Sequence, residues 1–362
     1  MTIFNGELGL QFVTHLANQY TVRDLVRLAR LGADNGFQQI WVNDNIRYRS
    51  QLVVLTAIAS QVPVRLGTAI MVPYFHNPLD VADSLGALSE LCEGREISVG
   101  IARGDLGQSP QHVQPLRPIA MVSETVQLLR QALNGAELNY ADYPFLQEFY
   151  HLNPTGKFRL AFKPRSSCKF YGGGNGPQAL RMCGRIMDGL ISSGTYIPML
   201  KAGRLPGMLA TADHAAQKAD TGKRLRKVCE LNVSISSDRA KAIEFPKRQV
   251  AHSILQWEAL GFTTDEYDKM GVTREQVLSL KRAFEAGATV EEASKLVTEH
   301  MVKTYYAAGT PEEVRDQIIE LVDAAGRLGY DHVAFAKLGP DYEEAIKLLA
   351  TQVVPALTRQ EL

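Results

Sequence analysis

The sequence is poor in several things at once, and each shortage excludes something. Neither charge is in excess: 39 Lys and Arg face 39 Asp and Glu, a formal net charge of +0. Electrostatics therefore gives no reason to expect nucleic acid or an anionic membrane as a partner. No stretch is long and apolar enough to span a bilayer. The opening "MTIFNGELGLQFV" lacks the charged start and apolar centre of a signal peptide. The four cysteines (Cys92, Cys168, Cys183 and Cys229) are scattered, without CxxC spacing. They are expected to be reduced thiols, Cys92 and Cys183 on helices, in a cytoplasmic protein. The eight histidines show no HExxH or other ligand spacing, so no metal is predicted. No GxSxG elbow occurs, and no cysteine sits at a strand end beside a histidine, which leaves covalent hydrolase chemistry without support.

What is present is a chain of 362 residues, 45% apolar and 22% charged, able to bury one large core. Short β-rich runs alternate with helix-period runs. Strand candidates are "LGLQFV" (8–13), "FQQIWVN" (37–43), "VRLGTAI" (64–70), "EISVGIA" (96–102), "KFYGG" (169–173), "DGLISS" (188–193), "CELNVSIS" (229–236) and "DHVAFA" (331–336). Helix starts are marked by Thr21 with Asp24, by Asn77 before Pro78, and by Thr310 with Pro311 and Glu313. Eight strands alternating with helices, most apolar on both faces, predict an α/β fold: a (β/α)8 TIM barrel with insertions, rather than an open doubly wound sheet. The insertions fall at about 137–165, which is aromatic and suggests a hairpin, and at 239–305, which is mostly helical. The whole of 1–362 is expected to be one domain. Both are read as insertions over one end of the barrel, able to wall or cover a site; for the first, simple padding of the surface is an equal alternative.

The run "GGGNGP", Gly172 to Pro177, ends a strand and opens a helix, with Pro177 in its first turn. Helix N-terminal amides lack partners and favour an anion, and glycines let a phosphate approach the main chain. The GxGxxG fingerprint fails, because Pro177 holds its last position, and a Walker A lysine is absent. The run therefore indicates a phosphate at a strand-to-helix turn, or a tight turn that needs glycine only for positive φ.

In such barrels the chemistry sits at the C-terminal ends of the strands. Those ends carry Gln11, Thr14 and His15, then Asn43-Asp44-Asn45, then "TAIMVPYFHNP", then Arg103-Gly104-Asp105. Asp44 and Asp105 are the acids just past strands two to four, suited to accept from a ligand N–H or to move a proton. The alternative for each is a helix cap or a rim ion pair. His15 is as well explained as a solvated loop residue. His76 is explained by turn-and-cap duty before Asn77-Pro78.

With these residues in view, the chain resembles the bacterial luciferase-like flavin and deazaflavin superfamily. Within it, it is most similar to the coenzyme F420-dependent reductases of the methylenetetrahydromethanopterin reductase type. The motifs are "GFQQIWVND", "RLGTAIMVPYFHNPLDVADSLGALSELCEGR", "SVGIARGD", "GGNGPQALRMCGRIMDGLI" and "GTPEEVRDQIIELVDAAGRLGYDHV…GPDYEEAIKLLATQVVPAL". The resemblance implies a flavin-like cofactor across the strand ends, its phosphate side at Gly173, Gly174, Asn175, Gly176, Pro177 and Gln178. It implies a non-proline cis peptide at Ala69–Ile70 behind the cofactor ring, with Asp44 and Asp105 as nearby acids. Two departures stand out: Gln11 replaces a glutamate of the methylene-pterin reductases, and Asn45 replaces the histidine of a "DH" pair. Glutamine hydrogen-bonds but is neither acid nor base near neutral pH. The hydride chemistry belongs to the cofactor and is untouched by either change.

The resemblance thus implies an F420-dependent oxidoreductase acting on a small organic substrate, pterin- or folate-like among the options. Asp105, or Asp44 with Gln11, would handle protons and orientation, and a homodimer is expected. The alternatives are an FMN-dependent monooxygenase using O2 and a partner flavin reductase, and a non-catalytic flavin-binding protein. A phosphosugar isomerase or aldolase would need a lysine or paired carboxylates at the strand ends, and none is well placed.

Overall fold

The computed structural model describes residues 4–104, 113–219, 222 and 224–357. Its eight main strands are β1 (Glu7–Phe12), β2 (Gln39–Val42), β3 (Arg65–Met71), β4 (Ile97–Ile101), β5 (Cys168–Gly173), β6 (Gly189–Ser192), β7 (Arg226–Ile235) and β8 (His332–Gly339). They lie within a residue or three of the runs read from the sequence. They form the closed parallel ring of a (β/α)8 barrel, as the alternation predicts. Contacts group the residues into two compact units, Leu8–Ile191 with Met208–Val228, and Met1–Glu7 with Ser192–Gly207 and Cys229–Leu362.

In the first unit, β1 to β6 pair in order, all parallel. Gln11 lies opposite Trp41, and Trp41 opposite Gly67. A Cβ on Gly67 would overlap the Trp41 ring, and one on Gly189 would overlap Tyr171, its own register partner. Glycine opposite an aromatic is how two large rings fit one face of the sheet. Trp41 and Tyr171 meet edge to face at 6.0 Å. Between Thr68 and Met71 the β3–β4 register shifts, and within that interval the Ala69–Ile70 peptide bond is cis, at the position the resemblance implied.

The helices start where the caps were read. α1 (Val22–Asp34) opens on the reciprocal Thr21–Asp24 box. α2 (Gln51–Ala59) has no side-chain cap. α3 (Pro78–Leu91) is capped by Asn77, whose side chain accepts from Leu79 N. Cys92 lies just past its end, not on it. After α4 (Pro118–Leu133) comes the first excursion: a two-residue hairpin, Leu138–Asn139 with Lys157–Phe158, that encloses α5 (Pro144–Tyr150). Its start is fixed from α4, because Glu124 Oε2 accepts from the amides of Phe145 and Leu146 at 2.9 and 3.0 Å. α6 (Pro177–Ile186) follows the glycine run.

The second unit holds β7, β8 and a strand that the sequence reading missed, Ala307–Gly309, parallel to β7. α7 (Pro311–Arg327) begins with the Thr310–Glu313 box. The 239–305 region is a series of short helices, three of them opened by reciprocal boxes at Thr263, Thr273 and Thr289. Trp257 anchors it, stacked on Phe262 at 5.5 Å and on Tyr305 at 5.8 Å. Arg204 lies over Phe262 at 4.1 Å and holds the Glu266 carboxyl down at about 2.

Candidate active site

At the end of β2 the chain turns so that Asp44 faces β3. Its amide donates to Ile70 O at 3.2 Å. Its Oδ2 accepts from Val72 N at 3.0 Å and from His76 Nε2 at 2.7 Å. The side chain is 5% exposed and that of His76 27%. Gln11 Nε2 donates to Ala69 O at 2.6 Å. Gln51 Nε2 donates to Val42 O at 2.6 Å and reaches Ile70 O at 3.4 Å. Both carbonyls flanking the cis bond are therefore held by side-chain amides. A carboxylate could not donate there, which is a physical reason for glutamine at position 11. Asn43 Oδ1 accepts from Thr14 N at 2.7 Å, and Asn45 Nδ2 lies 3.1 Å from His15 Nδ1.

The glycine run is a second, different surface. Gly172 needs its lack of side chain to pack, since a Cβ would run into Cys183 Sγ. Gly174 has φ +145, a conformation that L side chains rarely adopt, and a Cβ there would sit 2.9 Å from Ala179 Cβ. At Gly173 a Cβ would meet only ordinary contacts, with Ala102 at 3.6 Å and Ile70 Cγ2 at 3.9 Å. Gly176 has φ −82 and nothing within 4 Å of a built Cβ. It caps α6 without a side-chain hydrogen bond, so the first-turn amides are not claimed by a cap. Gly174, Gly176, Pro177 and Gln178 are exposed and Asn175 half-buried. This is uncovered main chain at a helix start, and it fits the phosphate end of a flavin-like cofactor.

The structure brings Gln11, Asp44, Ala69, Ile70 and Gly173 into one contiguous set, through the contacts above. Gly174, Asn175, Gly176, Pro177 and Gln178 continue it along the turn. Asp105 lies outside the described residues. Three members were not read from the sequence. His76 does more than end a turn, because its ring meets Asp44. Gln51 had no signal beyond its place at a helix start. The one hydroxyl proton of Tyr150, on α5, is shared between His76 O, at 2.8 Å, and Pro73 O. The thiols are poor candidates for chemistry: burial pushes Cys168 and Cys183 up to about 12. Among the described residues no group of three or more His, Cys, Asp or Glu could hold a metal.

The structure thus defines a parallel barrel with an uncapped glycine turn after β5 and a held carboxylate after β2. Residues 8–328 match the family model described as luciferase-like monooxygenase, and the chain belongs to that family. It is 25% identical over 358 residues to the 5,10-methylenetetrahydromethanopterin reductase of Archaeoglobus fulgidus, covering 97% of this chain and 99% of that one. It is also 25% identical over 356 residues to the F420-dependent glucose-6-phosphate dehydrogenase of Nakamurella multipartita, covering 94% of each. The structure of the coenzyme F420-dependent tetrahydromethanopterin reductase of Methanopyrus kandleri superposes with a TM-score of 0.76 at 23% identity, covering 98% of this chain and 99% of that one. No helix among the described residues is long and apolar enough to cross a membrane.

Proposed function

We propose that this chain is an F420-dependent oxidoreductase that transfers a hydride between the deazaflavin and a small organic substrate. One observation carries the reading: the acid Asp44 and the glycine turn both adjoin the cis bond Ala69–Ile70, Asp44 N donating to Ile70 O at 3.2 Å and Ile70 Cγ2 lying 3.9 Å from where a Cβ on Gly173 would stand. The relatives named for F420 support the choice of cofactor. When bound, F420 supplies the hydride.

The chain's own residues bind and orient. The turn from Gly173 to Gln178 takes the phosphate end through its main chain. Ala69 and Ile70 back the ring, and Gln11 holds Ala69 O in place. Asp44 accepts a hydrogen bond from a ring or substrate donor, and Asp105 joins it as a second acid after β4. A pterin- or folate-like substrate agrees with the reductase relatives, and a sugar phosphate with the dehydrogenase relatives. Gln11 argues against a mechanism that needs an acid at that position. The barrel with both insertions acts as one domain, in a homodimer.

An FMN-dependent monooxygenase is the second reading, favoured by the description of the family model. Titration separates the two. Quenching of F420 fluorescence by the colourless apo-protein, with no uptake of FMN, is the expected result. Tight FMN binding with O2 consumption would replace the leading reading. Cofactor binding without turnover of any substrate would leave a flavin-binding protein.

A further inference from the structure

We infer that the first excursion is a positioning device for Asp44, acting from Tyr150 through His76. The inference rests on the reading that Asp44 faces the bound cofactor or substrate. It starts from an imbalance in the carboxylate. Oδ2 takes two donors, Val72 N at 3.0 Å and His76 Nε2 at 2.7 Å. Oδ1 has none among the described residues, although the side chain is only 5% exposed. In a side chain so nearly enclosed, Oδ1 is left as an open acceptor. A ligand N–H or O–H is the chemistry that completes Oδ1. That ligand meets it at the right angle only if Oδ2 is held still.

His76 does the holding, and it is itself held. The ring is 27% exposed, so packing alone does not fix it. Its main-chain carbonyl accepts from Tyr150 Oη at 2.8 Å, and the same hydroxyl reaches Pro73 O. Burial raises the Tyr150 phenol well above its ordinary range, so it stays a neutral donor. Phe149 packs on Tyr74 at 5.8 Å, and the Tyr74 hydroxyl donates to Leu116 O at 2.7 Å. The segment from Pro73 to His76 is thus clamped from α5, whose start Glu124 fixes. The excursion therefore reaches Asp44 through one hydroxyl and one imidazole. In neutral His76 the contact with Asp44 requires the proton on Nε2.

The test uses the full-length protein and the variants His76→Ala, His76→Gln, Tyr150→Phe and His76→Ala/Tyr150→Phe. Without cofactor, 15N NMR of the ring should show neutral His76 in its Nε2–H form in the wild type. A mixture of tautomers is expected in Tyr150→Phe. With F420 as probe, His76→Ala should weaken binding or turnover about tenfold. His76→Gln, whose amide can still donate to Oδ2, should recover to within about threefold of the wild type. Tyr150→Phe should lose about threefold, and the double variant should be no worse than His76→Ala, because the two act in series. An Nδ1–H tautomer in the wild type, effects that multiply, or a glutamine no better than alanine would overturn the inference. Failure of the wild type to bind either F420 or FMN would instead sink the cofactor reading, and the tautomer would still decide the clamp.

Discussion

Around Asp44 the site is made of side chains, each with a partner on another strand or loop. From Gly172 to Gln178 it is made of main chain with little attached. The first region holds Gln11, Gln51, Asp44 and His76 in buried or half-buried bonds that span up to 58 residues of sequence. The second leaves Gly174, Gly176, Pro177 and Gln178 exposed, with no side-chain cap on α6. Under the proposed function, the difference follows from what each binds. A planar ring with a few donors is oriented by fixed side-chain acceptors. A phosphate is bound by amides that need only be left uncovered.

The largest expected effect breaks the first region by one atom. Asp44→Asn can keep one oxygen for Val72 N and His76 Nε2, but it turns the open Oδ1 position from acceptor to donor. About a 100-fold loss of kcat/KM is expected, roughly 3 kcal/mol, with the thermal midpoint within a few degrees of wild type. Retained activity would mean that Asp44 serves only the fold. Gly174→Leu attacks the second region. At φ +145, and 2.9 Å from Ala179 Cβ, a side chain must displace the turn. Loss of F420 binding by at least about 50-fold is expected in a fluorescence titration, with about 1–2 kcal/mol of stability lost to the backbone conformation. Unchanged affinity would move the phosphate elsewhere.

Gln11→Glu separates a missing acid from a needed donor. If glutamine is there to bond Ala69 O, an ionised glutamate loses that bond and faces a carbonyl. Denaturant titration should then show about 1–3 kcal/mol less stability, with no gain of turnover at neutral pH. A gain in turnover on a pterin substrate would show that the departure had cost an acid.

What could be read in the sequence was local. The caps at Thr21, Asn77 and Thr310 and the helix after Pro177 are set by residues within four positions of each other, and each lies where it was read. The eight strands showed through their β-branched or aromatic residues, whereas Ala307–Gly309 has neither and gives no such signal. The pairing of His76 with Asp44 spans 32 residues and that of Tyr150 with His76 spans 74. No periodicity reports such pairs. The turn and cap at His76 and Asn77 are present, and because they account for the stretch they give no hint of the ring contact with Asp44.

The smallest effect gives the sharpest comparison. Gly172 and Gly174 each have a structural reason to lack a side chain, so losing cofactor on changing them confounds fold with binding. Gly176 has none: its φ of −82 suits any residue, and a Cβ would meet nothing within 4 Å. Alanine there should cost under about 1 kcal/mol, the scale of a weaker N-cap. If the amides of α6 hold a phosphate, the added methyl stands in its approach. F420 affinity should then fall about three- to tenfold while the unfolding midpoint barely moves. Equal affinity would place the anion toward Gly173 and Gly174 instead. A loss of affinity matched by an equal loss of stability would return the whole run to the status of a tight turn.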